Sequence, residues 1–222
     1  TELHPMAGVG TMSEYSIVPD VAAVPIDKDI PFPQAALVGC GVTTGVGAAI
    51  NTAQVQAGTT VAVFGCGGVG LNVIQGARLF NASRIIAVDV YDHKLEFTYK
   101  FGATDVINAR GTDAVEAIRE LTGGGVDMAF DAFGSPQTTA DMLKSVRKTG
   151  TGVIIGLAPD GATAPVDLVE MIRHQKTLMG SYYGSGSPHE TFGTLVDMYL
   201  KGRIEIDSLI VRRYSLEQIN EA

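Results

Sequence analysis

The stretch "VAVFGCGGVG", residues 61–70, determines how the rest of this sequence is interpreted. It places Gly65, Gly67 and Gly70 in the spacing G-x-G-x-x-G, between a β-branched run and a segment with helical periodicity. The first glycine permits a tight turn, and the second lets a pyrophosphate approach the main chain. The third lets the helix pack closely on the strand. A strand, this loop and a helix in succession therefore predict a dinucleotide-binding unit.

The surroundings of the loop carry no charge, because no Asp, Glu, Lys or Arg occurs from Ile30 to Ala77. A charge buried there would need a partner, so we expect this segment to form the buried centre of the molecule. An anion bound here must be held by main-chain N–H groups and by the positive end of a helix dipole. Polar residues interrupt every apolar run, which disfavours a membrane span.

Beyond the loop, short apolar strands alternate with amphipathic helices, a pattern typical of βαβ units. The fold class we predict is α/β, a Rossmann doubly wound parallel sheet with six strands. The six predicted strands lie within residues 59–65, 84–89, 105–108, 126–134, 150–158 and 176–184. We also predict a short strand at Ser13–Pro19, and one helix and one strand in the tail after residue 186.

An acidic residue completes the dinucleotide motif. Asp89 ends the strand "RIIAVD", at the distance from the glycine loop where such a motif has a carboxylate for the ribose hydroxyls. This carboxylate would repel the extra phosphate of NADP, so we favour NAD. The alternative is that Asp89 caps the helix that begins near Tyr91. Lys94 either donates to the same ribose or is an ordinary solvated helix lysine.

Composition excludes some functional classes. The chain has 222 residues and a formal net charge of −8, whereas nucleic-acid and membrane-surface binding both favour basic patches. We therefore expect neither nucleic acid nor membrane as a partner. Two cysteines cannot build a disulfide framework, which favours the cytoplasm.

Several motifs occur in an order and spacing that resemble a known family. They include "GCGVTTGVGAAINTA" (residues 39–53), the glycine loop with its helix, "KFGAT" (100–104), "GGVDMAFDAFG" (124–134) and "GVIIGLAP" (152–159). Together they resemble zinc-dependent medium-chain alcohol dehydrogenases, in the class III-like and bacterial NAD-dependent branch. The resemblance implies a zinc-dependent oxidoreductase that transfers a hydride between NAD and an alcohol, aldehyde or ketone.

The resemblance also implies roles for individual residues. It makes Cys40 a ligand of the catalytic zinc and places Thr44 near the nicotinamide, while Asp89 and Lys94 contact the ribose. The other implied contacts are Gly68 and Val69 at the pyrophosphate, Ala132 and Phe133 along the adenosine, Ile155 and Leu157 at the nicotinamide, and Ser181 and Tyr183 at its carboxamide. Cys66 stands at a variable position of the motif, so we expect a small buried residue there.

The metal site of this family departs from the sequence in one respect. The family's catalytic zinc takes two cysteines and a histidine, and Cys40 matches the third of these in chain order. No cysteine precedes Cys40, and His4, the only upstream histidine, has no matching motif. From the residues alone, Cys40 is a small buried apolar residue; the resemblance favours a ligand.

We therefore expect a piece of a longer protein that lacks an N-terminal catalytic region and a shorter C-terminal end. The expected parts are a remnant of a GroES-like catalytic domain (1–41), the NAD-binding domain (42–182) and a truncated return into the catalytic domain (183–222). Such a chain should bind NAD without oxidising alcohol on its own.

Other interpretations stay open. One is a zinc-free quinone-type reductase of the same superfamily, which Cys40 and Asp89 disfavour. Another is a polyol dehydrogenase, in which a glutamate usually takes the third ligand position. A third, from a different class, is a non-catalytic NAD-sensing module. The strand at residues 177–184 should lie at the sheet edge, where it invites pairing with a second copy, and the family resemblance implies a homodimer or homotetramer.

Overall fold

A six-stranded parallel sheet forms the centre of the computed structural model, which describes residues 11–221. The strand order is β3-β2-β1-β4-β5-β6, and every neighbouring pair is parallel. The order reverses between β1 and β4, so the predicted doubly wound Rossmann sheet is confirmed. The strands are β1 (Thr60–Phe64), β2 (Arg84–Asp89), β3 (Asp105–Asn108), β4 (Val126–Asp131), β5 (Val146–Ile154) and β6 (Thr177–Gly180).

Seven helices surround the sheet in the described part of the chain. The first, α1, is continuous and contains two wider π-helical turns at Val38–Val42 and Ala48–Thr52. Glycine in the left-handed conformation ends two later helices, at Gly102 and Gly123, as their positions in the sequence predict. The helices are α1 (Phe32–Thr52), α2 (Gly68–Leu79), α3 (Asp92–Phe101), α4 (Ala114–Thr122), α5 (Pro136–Ser145), α6 (Leu168–His174) and α7 (Pro188–Leu200).

Two predicted strands do not form. Ser13–Pro19 is irregular, and its Tyr15 and Ile17 side chains are 90% and 99% exposed. In the tail, only single 3₁₀ turns follow α7 among the described residues, at Asp207–Leu209 and Leu216–Gln218. Apolar alternation is not sufficient for a strand, because its main-chain groups also need a neighbouring strand to pair with. No strand of the described sheet pairs with either segment.

The uncharged segment lies in the core, as predicted. In α1, the side chains of Val38, Val42 and Val46 are fully buried and pack with apolar residues of α7 and with Ile204 and Ile206. This helix is long and apolar enough to cross a membrane, but half of it is buried inside the protein. Burial against protein on one face is the arrangement of a core helix.

Small residues let α1 approach α2 closely. A Cβ atom at Gly45 would lie 2.4 Å from the main-chain oxygen of Val69, and one at Gly76 would lie 2.9 Å from the Cβ of Ala49. Side chains at these positions would force the helices apart. Glycine therefore brings the middle of α1 directly against the first turn of α2, where the glycine loop ends.

The predicted domain limits stay predictions. The limit at 41/42 falls inside α1, and the limit at 182/183 falls in the loop after β6. Residues on both sides of these limits share one apolar cluster, which joins α1 to α7. Residues 1–10, the first part of the predicted catalytic remnant, lie outside the described residues.

Candidate cofactor-binding site

The predicted site residues gather at one edge of the sheet, where its parallel strands end. This edge includes the point between β1 and β4 at which the strand order reverses, the usual ligand position in such sheets. The glycine loop follows β1 and Asp89 ends β2. The remaining predicted contacts after strands are Ala132 and Phe133 behind β4, Ile155 and Leu157 behind β5, and Ser181 and Tyr183 behind β6.

The three glycines of the loop are constrained differently. Gly65 has a φ of +92°, and a Cβ at Gly70 would lie 1.8 Å from the Gly65 carbonyl oxygen. The fold itself therefore requires glycine at both positions. Gly67 has a φ of −82°, and a Cβ there would meet nothing within 4 Å. Nothing in the described chain requires glycine at position 67, so the open space in front of it is what a ligand would fill.

The first turn of α2 offers main-chain donors at the same place. No side chain of the described chain caps this helix, and a Cβ at Gly68 would also point into open space. The first N–H groups of a helix have no partner within the helix, and its dipole favours an anion there. Together with Gly67, these groups fit the pyrophosphate of a dinucleotide.

Asp89 holds the glycine loop in place. One carboxylate oxygen accepts the N–H of Cys66 at 2.8 Å, and the other accepts the N–H groups of Val90 and Tyr91 at 2.8 and 3.2 Å. The helix α3 begins at Asp92 without a side-chain cap, so the alternative that Asp89 caps it is wrong. The carboxylate thus fixes the second βα turn to the first, in addition to its predicted contact with a ribose.

An apolar cleft of about 290 Å³ lies beside Asp89. Four predicted residues line it, namely Gly65, Asp89, Lys94 and Phe133, and its size suits a nucleoside. Sequence reasoning missed the other lining residues, although several of them follow a strand or open a helix at the same sheet edge. They include Val90, Tyr91, Ala109, Gln137 and Thr138.

Tyr91, which lines this cleft, holds two cationic side chains against its ring. The ammonium of Lys94 lies 5.1 Å from the centre of the Tyr91 ring, and the Arg110 guanidinium lies 5.3 Å from it. Both distances fall within cation–π range. Lys94 is therefore held at the cleft by a ring contact, which a freely solvated lysine would not have.

A buried carboxylate shapes the turn after β4. Asp131 is fully buried and accepts the N–H groups of Phe133 and Gly134 at 3.1 and 2.9 Å. Its second oxygen accepts the hydroxyls of Thr138 and Thr139, at 3.1 and 2.6 Å. These bonds fix the turn between β4 and α5 and place Phe133 beside Gly65, where a Cβ would lie 3.0 Å from the Phe133 main chain.

The opposite end of the site is built from the turns after β5 and β6. Ile155 is buried, whereas the side chain of Leu157 is exposed. Ser181 donates its N–H to the Ile154 carbonyl at 2.8 Å, and its hydroxyl lies 2.8 Å from that of Thr52 on α1. The N–H of Ser181 is therefore already bonded to the main chain of β5. A carboxamide contact from this residue would use its carbonyl oxygen.

The loop after β6 packs directly against α1. Tyr183, Gly184 and Ser185 all have positive φ, at +54°, +72° and +53°. A Cβ at Gly184 would lie 2.3 Å from the main-chain oxygen of Thr43, the residue before Thr44. The Tyr183 hydroxyl donates to the carbonyl of Gly39, the residue before Cys40. Burial raises the pKa of this hydroxyl, and the nearby Cys40 thiol raises it further.

The two cysteines have opposite environments. Cys66 is buried, as predicted, with its thiol 3.6 Å from the Val88 carbonyl. Burial raises the pKa of the Cys66 thiol to about 12, and the Asp89 carboxylate adds to this effect. Cys40, in contrast, is exposed on the first π-helical turn of α1, so the expectation of a buried residue from composition alone is wrong.

The residues present do not fit a catalytic zinc site. Such a site takes three protein ligands and keeps a fourth position open. Among residues 11–221, no group of three His, Cys, Asp or Glu side chains is placed to hold a metal ion. Cys40 therefore stands as a single thiol, and His4 lies outside the described residues.

Known proteins share this fold and sequence pattern. Residues 68–201, more than half of the chain, match the family described as "Zinc-binding dehydrogenase". S-(hydroxymethyl)glutathione dehydrogenase of Saccharomyces cerevisiae is 42% identical, and the match covers 100% of this chain and 58% of that protein. The predicted resemblance to zinc-dependent alcohol dehydrogenases is confirmed.

Solved structures of related dehydrogenases share the fold of this chain. Benzyl alcohol dehydrogenase from Acinetobacter calcoaceticus superposes with a TM-score of 0.86 at 36% identity, over 89% of this chain and 54% of that one. A "putative zinc-binding dehydrogenase" from Sinorhizobium meliloti 1021 superposes with a TM-score of 0.79 at 27% identity, over 86% of this chain and 56% of that one. That structure contains bound NADP. The chain thus spans a little over half the length of the proteins it matches.

The contrast between the cysteines gives a measurable outcome. When the native chain reacts with dithionitrobenzoate near pH 8, one equivalent of thionitrobenzoate should be released quickly, through reaction at Cys40. Cys66 should not react at this rate, because its thiol is buried and protonated. Denaturant should expose the second thiol. In a Cys40→Ser variant the fast equivalent should disappear, whereas Cys66→Ser should keep it. Two fast equivalents in the native chain would contradict the burial of Cys66.

Proposed function

Because this chain belongs to the zinc-binding dehydrogenase family, we propose that it is the dinucleotide-binding part of a zinc-dependent oxidoreductase. The reaction is hydride transfer between NAD and an alcohol, or the corresponding aldehyde or ketone. The observation that carries this proposal is the open space at Gly67 and Gly68 in front of the uncapped N-terminus of α2. The fold of the described chain does not require glycine at either position, because a Cβ there would meet no neighbouring atom within 4 Å.

In this proposal, three regions of the sheet edge each bind one part of the cofactor. The main chain of Gly67, Gly68 and Val69 holds the pyrophosphate. The cleft beside Asp89 and Phe133 takes the adenosine, and the turns after β5 and β6 take the nicotinamide. The bound nicotinamide supplies the chemistry, since it accepts or releases the hydride. The protein orients the ring and excludes water around it.

Asp89 supports NAD as the cofactor in preference to NADP. Its carboxylate lies at the end of β2, where a second phosphate on the ribose would meet a negative charge. Its two oxygens are also held by three main-chain N–H groups, so the carboxylate cannot swing away to admit that phosphate. A related structure is bound to NADP, which makes cofactor choice a property to be measured for this chain.

Zinc chemistry requires more than this chain supplies. Cys40 stands on the turn of α1 that Tyr183 contacts, and Tyr183 belongs to the loop proposed to hold the nicotinamide carboxamide. The described residues provide no second and third ligand. In the proposal those ligands belong to the part of the relatives that this chain does not span. The small-molecule substrate binds there as well, and the exposed free thiol of Cys40 suits the cytoplasm.

A second copy of the chain is the proposed partner. As expected from the sequence, β6 lies at the sheet edge, and one row of its N–H and C=O groups has no neighbouring strand in the described sheet. The adjoining helix α6 exposes the apolar side chains of Leu168, Val169 and Ile172. An open edge with exposed apolar residues favours association with a second copy. The family resemblance makes a homodimer or homotetramer the proposed assembly.

Sedimentation equilibrium tests this association. The wild-type chain should sediment at a multiple of its 23.3 kDa mass. A Thr177→Lys variant should shift toward the monomer, because an edge lysine opposes strand pairing. A lysine at Thr163, exposed in the loop before α6, is the matched control and should leave the mass unchanged. A wild-type monomer at all concentrations would contradict the proposal.

Nucleotide binding is tested by a glycine series. Gly67→Ala should lower NAD affinity by about tenfold or more in calorimetry, because the new methyl group occupies the pyrophosphate position. Its urea unfolding midpoint should stay within the error of the wild type, since a Cβ there touches nothing in the described chain.

Two controls define this effect. Gly111→Ala also adds a methyl group in open space, but away from the loop, and should leave both NAD affinity and stability unchanged. Gly70→Ala should reduce stability itself, because its Cβ would lie 1.8 Å from the Gly65 oxygen. Full NAD affinity in Gly67→Ala, or no NAD binding by the wild type, would contradict the proposed function.

A further inference from the structure

One hydrogen bond joins the loop after β6 to the turn of α1 that carries Cys40. The hydroxyl of Tyr183, in the loop after β6, donates to the Gly39 carbonyl in the turn of α1 that carries Cys40. These residues are 144 positions apart in sequence. The bond therefore connects the loop assigned to the nicotinamide with the helical turn that carries the thiol assigned to the metal.

The loop end of this bond is held firmly. Its three successive residues with positive φ adopt a conformation that non-glycine residues avoid, so other contacts must maintain it. Asn51 donates from its amide to the Gly184 carbonyl at 3.0 Å, and the Thr52 hydroxyl bonds to that of Ser185 at 2.8 Å. Both partners lie at the end of α1. The loop is thus a fixed point against which the rest of α1 can be positioned.

The turn that carries Cys40 has one side-chain hydrogen bond from its own helix, in which the Thr43 hydroxyl donates to the Val38 carbonyl at 2.6 Å. It is a π-helical turn, Val38–Val42, a form in which helix hydrogen bonds are less regular and which often marks functional positions. Val38 and Val42 are buried on its inner side. On the outer side, a Cβ at Gly39 or Gly41 would meet nothing within 4 Å among the described residues. The Tyr183 hydroxyl adds a hydrogen bond to this turn from outside α1.

We propose that Tyr183 is a positioning residue, whose hydroxyl fixes the Gly39 carbonyl and so sets the place of Cys40 relative to the nicotinamide loop. The proposal rests on the proposed function for the identity of the two ligands, the nicotinamide cofactor and the metal. The hydrogen bond and its effect on the turn do not depend on which ligands bind. Tyr183 acts through the neighbouring main chain and touches no reacting atom. Because the bond restrains both groups that it joins, it also limits the residual motion of the Tyr183 main chain, which the proposed function places at the carboxamide.

The test compares Tyr183→Phe with Tyr182→Phe in the 222-residue chain. The first variant keeps the ring, whose centre lies 6.5 Å from that of Phe192, and removes only the hydroxyl. The second removes the hydroxyl of the adjacent tyrosine, which is exposed and makes no side-chain hydrogen bond to a described residue. Urea unfolding of both variants establishes that the fold is retained.

Two readouts follow the two ends of the bond. Amide hydrogen exchange of peptides covering residues 38–44, measured without nucleotide, should be about fivefold faster in Tyr183→Phe and unchanged in Tyr182→Phe. That factor corresponds to roughly 1 kcal/mol, the usual net worth of one hydrogen bond. In calorimetry, Tyr183→Phe should weaken NAD binding by a similar factor and leave the affinity for ADP-ribose, which lacks the nicotinamide, unchanged.

Each outcome decides a defined part of the proposal. Equal exchange rates in wild type and Tyr183→Phe, or equal acceleration in Tyr182→Phe, would overturn the positioning role. Equal loss of NAD and ADP-ribose affinity would show a general loosening of the fold and would overturn the coupling to the nicotinamide. If the wild type bound neither nucleotide, the proposed function and this coupling would fail, whereas the exchange rates would still decide whether Tyr183 positions the Cys40 turn.

Discussion

The structure depends on one close main-chain contact, between the first turn of α2 and the carbonyl of Gly65. A Cβ at Gly70 would come within 1.8 Å of that oxygen, so the helix can start this near to β1 only with glycine there. The contact directs the open N–H groups of α2 at the point where the strand order reverses. Asp89 then ties the second strand to the same loop through the N–H of Cys66. Each further part of the site is placed relative to this loop.

The two halves of the site differ in how much of them this chain contains. The proposed dinucleotide half is assembled from all six strand ends, with an open cradle, a nucleoside-sized cleft and the turns beyond β5 and β6. The metal half has one exposed thiol and no group of three ligands in the described part of the chain. The physical reason is topological. The cofactor side uses residues that follow strands of one sheet, whereas a tetrahedral metal site needs side chains that converge from several directions.

The sequence predicted the parts of the fold that local chemistry determines. The limits of β2 and β3 agree with "RIIAVD" and "DVIN" to the residue, and the glycine caps at 102 and 123 are where expected. It failed at Ser13–Pro19 and in the tail, because a strand also needs a partner that local pattern cannot show. The bond from Tyr183 to Gly39 was equally inaccessible, since it depends on how a loop and a distant helix meet after folding. No pattern in either segment indicates that contact.

The central proposal is that this chain carries a complete dinucleotide site, whereas its described residues supply only one ligand of a zinc site. Native mass spectrometry of the chain, incubated with both NAD and Zn²⁺, counts the two ligands in one measurement. The account predicts one NAD per chain, no stoichiometric zinc, and an identical ligand pattern in a Cys40→Ser variant. One zinc per chain that disappears in Cys40→Ser, or the absence of any NAD adduct, would contradict it.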